Sequence, residues 1–302
     1  MKTIKIEGTT LTKHIFESDA EWLAFRKNHI GASDSSIILG TSKWKTNNDM
    51  IKTPKLLFQE KLGLDSMNCD NAATRYGKAM EEPARQVYQE MVSDLFEPMC
   101  IKNSKYPYAM VSLDGLNITD DRAVEIKNCS LADHEIARQG KVPDKYYSQV
   151  QMQIMVTEFS EIDYFSFHDN EGIIVKVKRD DEYILELDNK LKAFWNCVTN
   201  FIEPELTEDD YIEQDQEWFK KAKQLYNVQQ TLKPLVAEEK VLKDELKLLS
   251  NDRNSKFGDL LYTRSIYAGR VDYKSIPEIE NIDLTKYTGK PTVSWRLKKA
   301  KN

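Results

Sequence analysis

The chain has 302 residues, 40% of them hydrophobic and 10% aromatic, which is enough to bury the core of one large domain or of one domain with an appendage. No run approaches the ~20 apolar residues that cross a bilayer, and no apolar stretch follows the opening MKTIKIEGTT, so a globular, cytoplasmic protein is expected. A net charge of −6 looks wrong for a protein that handles a polyanion, yet residues 251–302 hold eleven Lys and Arg against six Asp and Glu. That basic end is either a local polyanion contact or a solvated tail. The four cysteines, Cys69, Cys100, Cys129 and Cys197, form no CxxC pair, which excludes a zinc knuckle, a thioredoxin motif and a clustered iron-sulfur site. Buried thiols are expected instead. His14, His29, His134 and His168 show no metal-ligand spacing.

In chain order, SDAEWLAFRKN (residues 18–28) opens with a cap signal and carries Trp22, Phe25 and Arg26 at helical spacing. GASDSSIILG follows, with Gly31 as a stop and Ser33 or Asp34 as the cap of a second short helix. TPKLLFQEKLGL predicts a helix starting near Pro54, with Leu56, Leu57, Phe58 and Leu62 inside and Gly63 after it. NAATRYGKAMEEPARQVYQEM predicts a longer helix burying Met80, Ala84, Val87, Tyr88 and Met91. The runs EPMCIKN, YAMVSLDGL, RAVEIKN, IDYFSFHD and GIIVKVKR are bounded by turn residues and read as strands. A helix over DKYYSQVQMQIMVTEF lies between the third and fourth, and DDEYILELDNKLKAFWNCVTNFI closes the core as another amphipathic helix. The fold class expected is α/β, a mixed sheet flanked by helices.

Pro204 marks a break. The domains expected are a core over 1–206, a charged helical segment over 207–250 that Pro234 kinks or divides, and a basic extension over 251–302 reading as strand, loop and strand. Leu235, Leu242, Leu246 and Leu249 form a narrow stripe over fewer than three heptads, which a coiled-coil seam and a helical hairpin explain equally well.

Side chains alternate along a strand, so in AVEIKN the apolar Val124 and Ile126 face one side and Glu125 and Lys127 the other. The [DE]-x-K pattern also occurs at Asp188, Glu238, Glu245 and Asp272, in charged helical or loop contexts. Only Glu125 sits in a β-like run and follows another acid, Asp114, placed just before Gly115. Joined by the NITDD turn, two strands would set Asp114 beside Glu125. Paired carboxylates repel unless a cation lies between them, and oxygen ligands suit Mg²⁺ or Mn²⁺, with the Ile126 carbonyl completing part of the shell. Lys127 would orient or deprotonate a water and offset charge on a phosphorane. The same residues also read as a cross-strand salt bridge on a solvated face.

At this point the chain resembles, over about residues 20 to 200, the phage lambda-type exonucleases, the YqaJ-like viral recombinase group within the PD-(D/E)XK nucleases. SLDG and VEIK resemble the metal-binding Asp and the E-x-K of that group, here Asp114, Glu125 and Lys127. GKAMEEPA resembles its helix-borne acid, which makes Glu81 a third metal ligand, and YYSQVQMQIMV its Q-x-Q helix, with Gln149 facing the reacting phosphate. WLAFRKNHIGASD resembles its W-x-x-x-R and A-S-D element, so that Arg26 and Ser33, with Ser112, would hold the 5′-phosphate of a DNA end. Leu113 stands where the Pro of the superfamily name is usual.

The resemblance implies a restriction-endonuclease-like core. It implies a Mg²⁺-dependent (Mn²⁺ possible), ATP-independent 5′-to-3′ exonuclease acting on double-stranded DNA ends. It further implies a single-strand annealing protein as partner, a ring-shaped homo-oligomer, and a phage or prophage setting. The absence of a GxxxxGK[ST] loop agrees with hydrolysis that needs no nucleotide. Two alternatives stay open: an endonuclease using the same site, and a non-catalytic DNA-binding or assembly protein whose acids are structural.

Overall fold

The computed structural model describes residues 1–6, 8–46, 50–64, 72–267, 269 and 282. Cys69 and most of the basic extension after 267 therefore lie outside the described residues. The chain divides into two compact units, Met1–Tyr211 and Ile212–Asn302. Residues just past the expected break at 206 side with the first unit, where Lys43 pairs with Asp209 and Thr53 donates to Asp210.

The first unit is a mixed sheet covered by helices on both faces. Its strands are β1 (Lys2–Lys5), β2 (Leu11–Ile15), the two-residue β3 (Ile30–Gly31), β4 (Phe96–Asn103), β5 (Ala109–Asn117), β6 (Ala123–Asn128), β7 (Glu161–His168) and β8 (Glu171–Lys178). They run in the order β1-β2-β4-β5-β6-β7-β8, with β3 against the start of β5. β6 and β7 are parallel, as are β3 and β5, and the other pairs are antiparallel. The five expected strands are β4 to β8. The β1–β2 hairpin was not foreseen: all four β1 residues are exposed, so no apolar pattern marks it.

The helices of this unit are α1 (Asp19–Lys27), α2 (Ser35–Ile38), α3 (Pro54–Leu62), α4 (Ala72–Val92), α5 (Leu131–Arg138), α6 (Asp144–Thr157) and α7 (Asp181–Asn200). Local chemistry sets several ends. Ser18 accepts from the Glu21 amide, Thr53 from that of Leu56 with Pro54 in the first turn, and Gly63 closes α3 at φ 70°. Ala32–Asp34 form a 3₁₀ turn that leads into the single turn of α2. On α4, Ala84 and Tyr88 are buried and Val92 packs with them, whereas Met91 is exposed: after Tyr88 the helix buries the fourth residue rather than the third.

The larger core lies between one face of the sheet and α2, α3, α6 and α7. It takes in Leu57, Val111, Leu113, Val150, Ile154, Tyr164 and Leu187. A smaller core on the other face joins Ala84 and Tyr88 of α4 to Phe96, Val124, Ile126, Phe165 and Phe167.

β5 is irregular at one place. Glu97 pairs with Leu116 and Met99 with Leu113, so β5 uses three residues where β4 uses two. This β-bulge at Asp114 and Gly115 shifts the alternation, and Leu113 and Leu116 both reach the larger core. Gly115 is enclosed: a Cβ there would stand 2.8 Å from Phe96 Cβ and 2.8 Å from Val124 Cγ1.

In the second unit, α8 (Gln216–Leu249) is one helix through Pro234, which neither divides it nor ends it. It begins well inside the expected 207–250 segment, after an Asp215 cap. A short hairpin follows, β9 (Ser255–Phe257) with β10 (Leu260–Tyr262). Among the described residues no helix is long and apolar enough to cross a membrane.

Replacing Gly115 with alanine should overpack the bulge and cost about 1–3 kcal/mol. Urea unfolding followed by far-UV circular dichroism measures this.

Candidate active site

β5 and β6 pair only at Gly115 with Val124 and Leu116 with Ala123. The turn between them is closed by Asn117, whose amide donates to the Arg122 carbonyl and whose side-chain oxygen accepts from the amides of Asp121 and Arg122. The next pair in that register would set Asp114 opposite Glu125, and there the ladder opens. The Asp114 carboxylate takes over from the missing main chain: its Oδ2 accepts from the Ile126 amide at 2.7 Å.

Glu125 has no exposed surface. Its carboxylate accepts from Lys127 on its own strand and from Gln149 and Gln153, one turn apart on α6. The face that carries Glu125 and Lys127 is therefore roofed by α6 rather than solvated, unlike the simple salt-bridge reading. Gln153 keeps its Oε1 buried without a partner, which leaves an acceptor beside Glu125. The Lys127 ammonium also stands 5.4 Å from the Tyr146 ring.

Glu81 comes from α4, across the sheet. Arg85, four residues on, holds it at 3.8 Å, pairs with Glu82, and donates to the Asp114 carbonyl at the bulge at 2.8 Å. Burial raises the Glu81 pKa; Arg85 opposes this and the Glu125 charge adds to it. Burial, then Glu125, push the Asp114 carboxyl well above the usual carboxylate range, with Lys127 pulling the other way. Burial works against the charge of Lys127 as well, but Glu125 and Asp114 outweigh it and hold the ammonium above the ordinary lysine value. Among the described residues no three His, Cys, Asp or Glu side chains are placed to hold one metal ion. The acids are instead turned toward Lys127, the two glutamines and Arg85.

The three residues expected to hold a phosphate meet through Trp22. Its indole Nε1 donates to Ser112 Oγ at 3.2 Å, and its ring carries the Arg26 guanidinium at 5.3 Å. Arg26 donates to Ser33 Oγ at 2.8 Å and pairs with Asp34 at 3.0 Å. Neither Glu17 nor Glu21 takes it; both lie near the N-terminal amine. Ser33 sits in a 3₁₀ turn before a single turn of helix, too short to sum a dipole, so its hydroxyl and not a helix terminus is what it offers an anion.

The sequence marks Asp34 only as a cap candidate and does not mark Lys61. Both are buried and lie 2.7 Å apart, and Lys61 also donates to the carbonyls of His29 and Arg26. Burial alone would raise the Asp34 pKa, but Lys61 and Arg26 overcome it and hold the carboxyl far below the usual range. Gly31 gives the guanidinium its room: a Cβ there would come within 3.3 Å of Arg26 Nε. The A-S-D triplet contained the signal for Asp34. Nothing in the chain announces Lys61, since it is joined to Asp34 only by the fold.

Asp34→Asn should cost about 3–5 kcal/mol at neutral pH by leaving a buried lysine unpaired. A depressed carboxyl stabilises the fold above its unfolded pKa of about 4 and loses that contribution as pH falls toward the folded value. The stability gap between wild type and Asp34→Asn should therefore shrink below about pH 4, as denaturant titrations across pH would show.

Residues 21–160 match the YqaJ-like viral recombinase domain. The uncharacterized protein YqaJ of Bacillus subtilis (strain 168) is 25% identical over 193 residues, which are 62% of this chain and 58% of that protein. The chain thus spans less than two thirds of that relative's length. The alkaline exonuclease LHK-Exo of Laribacter hongkongensis is alike in fold, with a TM-score of 0.50 at 24% identity over 61% of this chain and 94% of that one. The structure of LHK-Exo in complex with dAMP gives 0.51 at 25% identity over the same shares, 61% and 94%. The segment that carries every candidate side chain, residues 21–160, is thus the part of the chain that is similar to the YqaJ-like viral recombinase domain.

Proposed function

We propose that this chain is a divalent-metal-dependent deoxyribonuclease that resects duplex DNA from a 5′ end, 5′-to-3′ and without ATP, leaving 3′ single strands for an annealing protein. The observation that carries the reading is the opening between β5 and β6. There Asp114 lies near enough to Glu125 for the charge of Glu125 to raise its carboxyl, and Lys127 and Gln149 both donate to the Glu125 carboxylate. Stability alone gives no reason to raise the Asp114 carboxyl by placing a second acid opposite it. The similarity to an alkaline exonuclease and to the viral recombinase domain supports the same class.

The donors fit Mg²⁺ or Mn²⁺ on chemical grounds. They are hard carboxylate oxygens, and the burial and like charge that raise Asp114 and Glu81 are what a divalent cation relieves. Asp114, Glu125 and Glu81, with the Ile126 carbonyl, would hold the ion only after the carboxylates of Glu125 and Glu81 turn from Lys127, the two glutamines and Arg85, their partners here. Bound there, it would draw charge from the scissile phosphate and ease the loss of a proton from water.

Lys127, paired with Glu125, would orient the attacking water or neutralise the negative charge that grows on the phosphate oxygens. Gln149, anchored on Glu125, presents its amide to the reacting phosphate. Arg26, stacked on Trp22 and fixed by Asp34, offers a forked contact to a terminal 5′-phosphate, with Ser33 and Ser112 as further hydroxyl partners. A homo-oligomeric ring around the duplex would supply processivity.

A digestion time course on end-labelled duplex, with Mg²⁺ and with chelator, tests this. Metal-dependent release of 5′ label is expected, and Lys127→Ala or Glu125→Gln should slow it by about 10²–10⁴-fold with the fold intact. A 5′-phosphate end should be preferred over a 5′-hydroxyl, and Arg26→Ala should remove the preference. Cutting of circular duplex would mark an endonuclease instead, and no cutting with any metal would mark a binding protein. A second readout is independent of activity: Mg²⁺ should raise the Tm of the wild type, while Asp114→Asn should raise the metal-free Tm and blunt the response to Mg²⁺.

A further inference from the structure

We propose that α8 pairs with α8 of a second copy of this chain as an antiparallel two-stranded coiled coil. The helix is unbroken from Gln216 to Leu249, about 51 Å at 1.5 Å per residue, and no residue on it is buried. Counted in heptads from Trp218, position a holds Trp218, Leu225, Leu232, Glu239 and Leu246. Position d holds Lys221, Val228, Leu235, Leu242 and Leu249. The eight apolar members of this seam are all 46% to 81% exposed, a stripe far longer than a lone surface helix leaves uncovered. Pro234 falls at position c, away from the seam, so its missing amide does not interrupt the packing.

The two charged seam residues identify the occupant. In a parallel pair of copies, Glu239 would meet Glu239 and Lys221 would meet Lys221, like against like. In one antiparallel register Glu239 meets Lys221 of the second copy. In that register Trp218 also meets Leu242, Leu225 meets Leu235, and Val228 meets Leu232. A shift of one heptad either way leaves Lys221 facing a leucine, so the charges fix both orientation and register. Within one helix Glu239 already bonds Lys243 at 2.6 Å, which holds its carboxylate at the seam's edge. The contact is separate from the proposed catalytic residues and would link two nuclease units whatever other assembly they form.

Sedimentation equilibrium of the full chain tests the proposal. Leu232→Asp should lower the mass of the wild-type assembly by about half, and Leu248→Asp, on the outer face, should leave it unchanged. Lys221→Glu should dissociate the pair, and adding Glu239→Lys to it should restore association. Far-UV circular dichroism verifies that each variant keeps its helix, and DNA digestion, read separately, reports on the nuclease reading alone. A wild-type mass equal to that of Leu232→Asp overturns the pairing, whether α8 is then covered by the chain's own C-terminal residues or by another protein. A pair that survives Lys221→Glu overturns the antiparallel register.

Discussion

A carboxylate with no exposed surface is the constraint around which the first unit is arranged. Taking such a group out of water costs several kcal/mol even after the surroundings relax, while one charged hydrogen bond returns only about 1.5–3 kcal/mol. A single partner is therefore too little, and Glu125 has three: Lys127 from its own strand, and Gln149 and Gln153 from α6. Those partners require α6 to lie across β6 in one register. The parallel pairing of β6 with β7 provides it, since its crossover connection contains α6.

The same solution is used a second time at Asp34, where Lys61 and Arg26 surround a buried acid. In each place a buried carboxylate fixes a cation. The two places share Ser112, whose hydroxyl accepts from Trp22 beneath Arg26 and whose carbonyl accepts from Gln153 beside Glu125. On the proposed reading, a DNA end held by Arg26 would in this way be tied to the opening between β5 and β6 through strand β5 rather than through a loop.

The parts that could be read from the residues are those whose information is local. Period-two runs bounded by turn residues gave β4 to β8, and the placement of Glu125 and Lys127 on one strand face followed from the same period. Glu81, Gln149, Arg26, Ser33 and Ser112 were singled out only through the resemblance to a known family, because each lies on a different element and its neighbours are supplied by the fold. Lys61 and Arg85 were missed for the same reason. The β1–β2 hairpin escaped because an exposed edge strand has no apolar face to betray it. α8 runs on past Pro234 because the helix is exposed all round there, so water can take up the carbonyl that the proline leaves without an amide.

The bulge in β5 also governs how this region can change over generations. It works as a phase reset: everything before Asp114 and everything after Gly115 keeps its inward and outward sense only because one extra residue stands between Leu113 and Leu116. Loss of that residue would rotate half the strand, turning apolar side chains to the wrong layer while also removing the acid. The side chain at 114 can thus change without altering the phase of the strand, but the position cannot be shed, and the irregular strand should outlive the acid it displays.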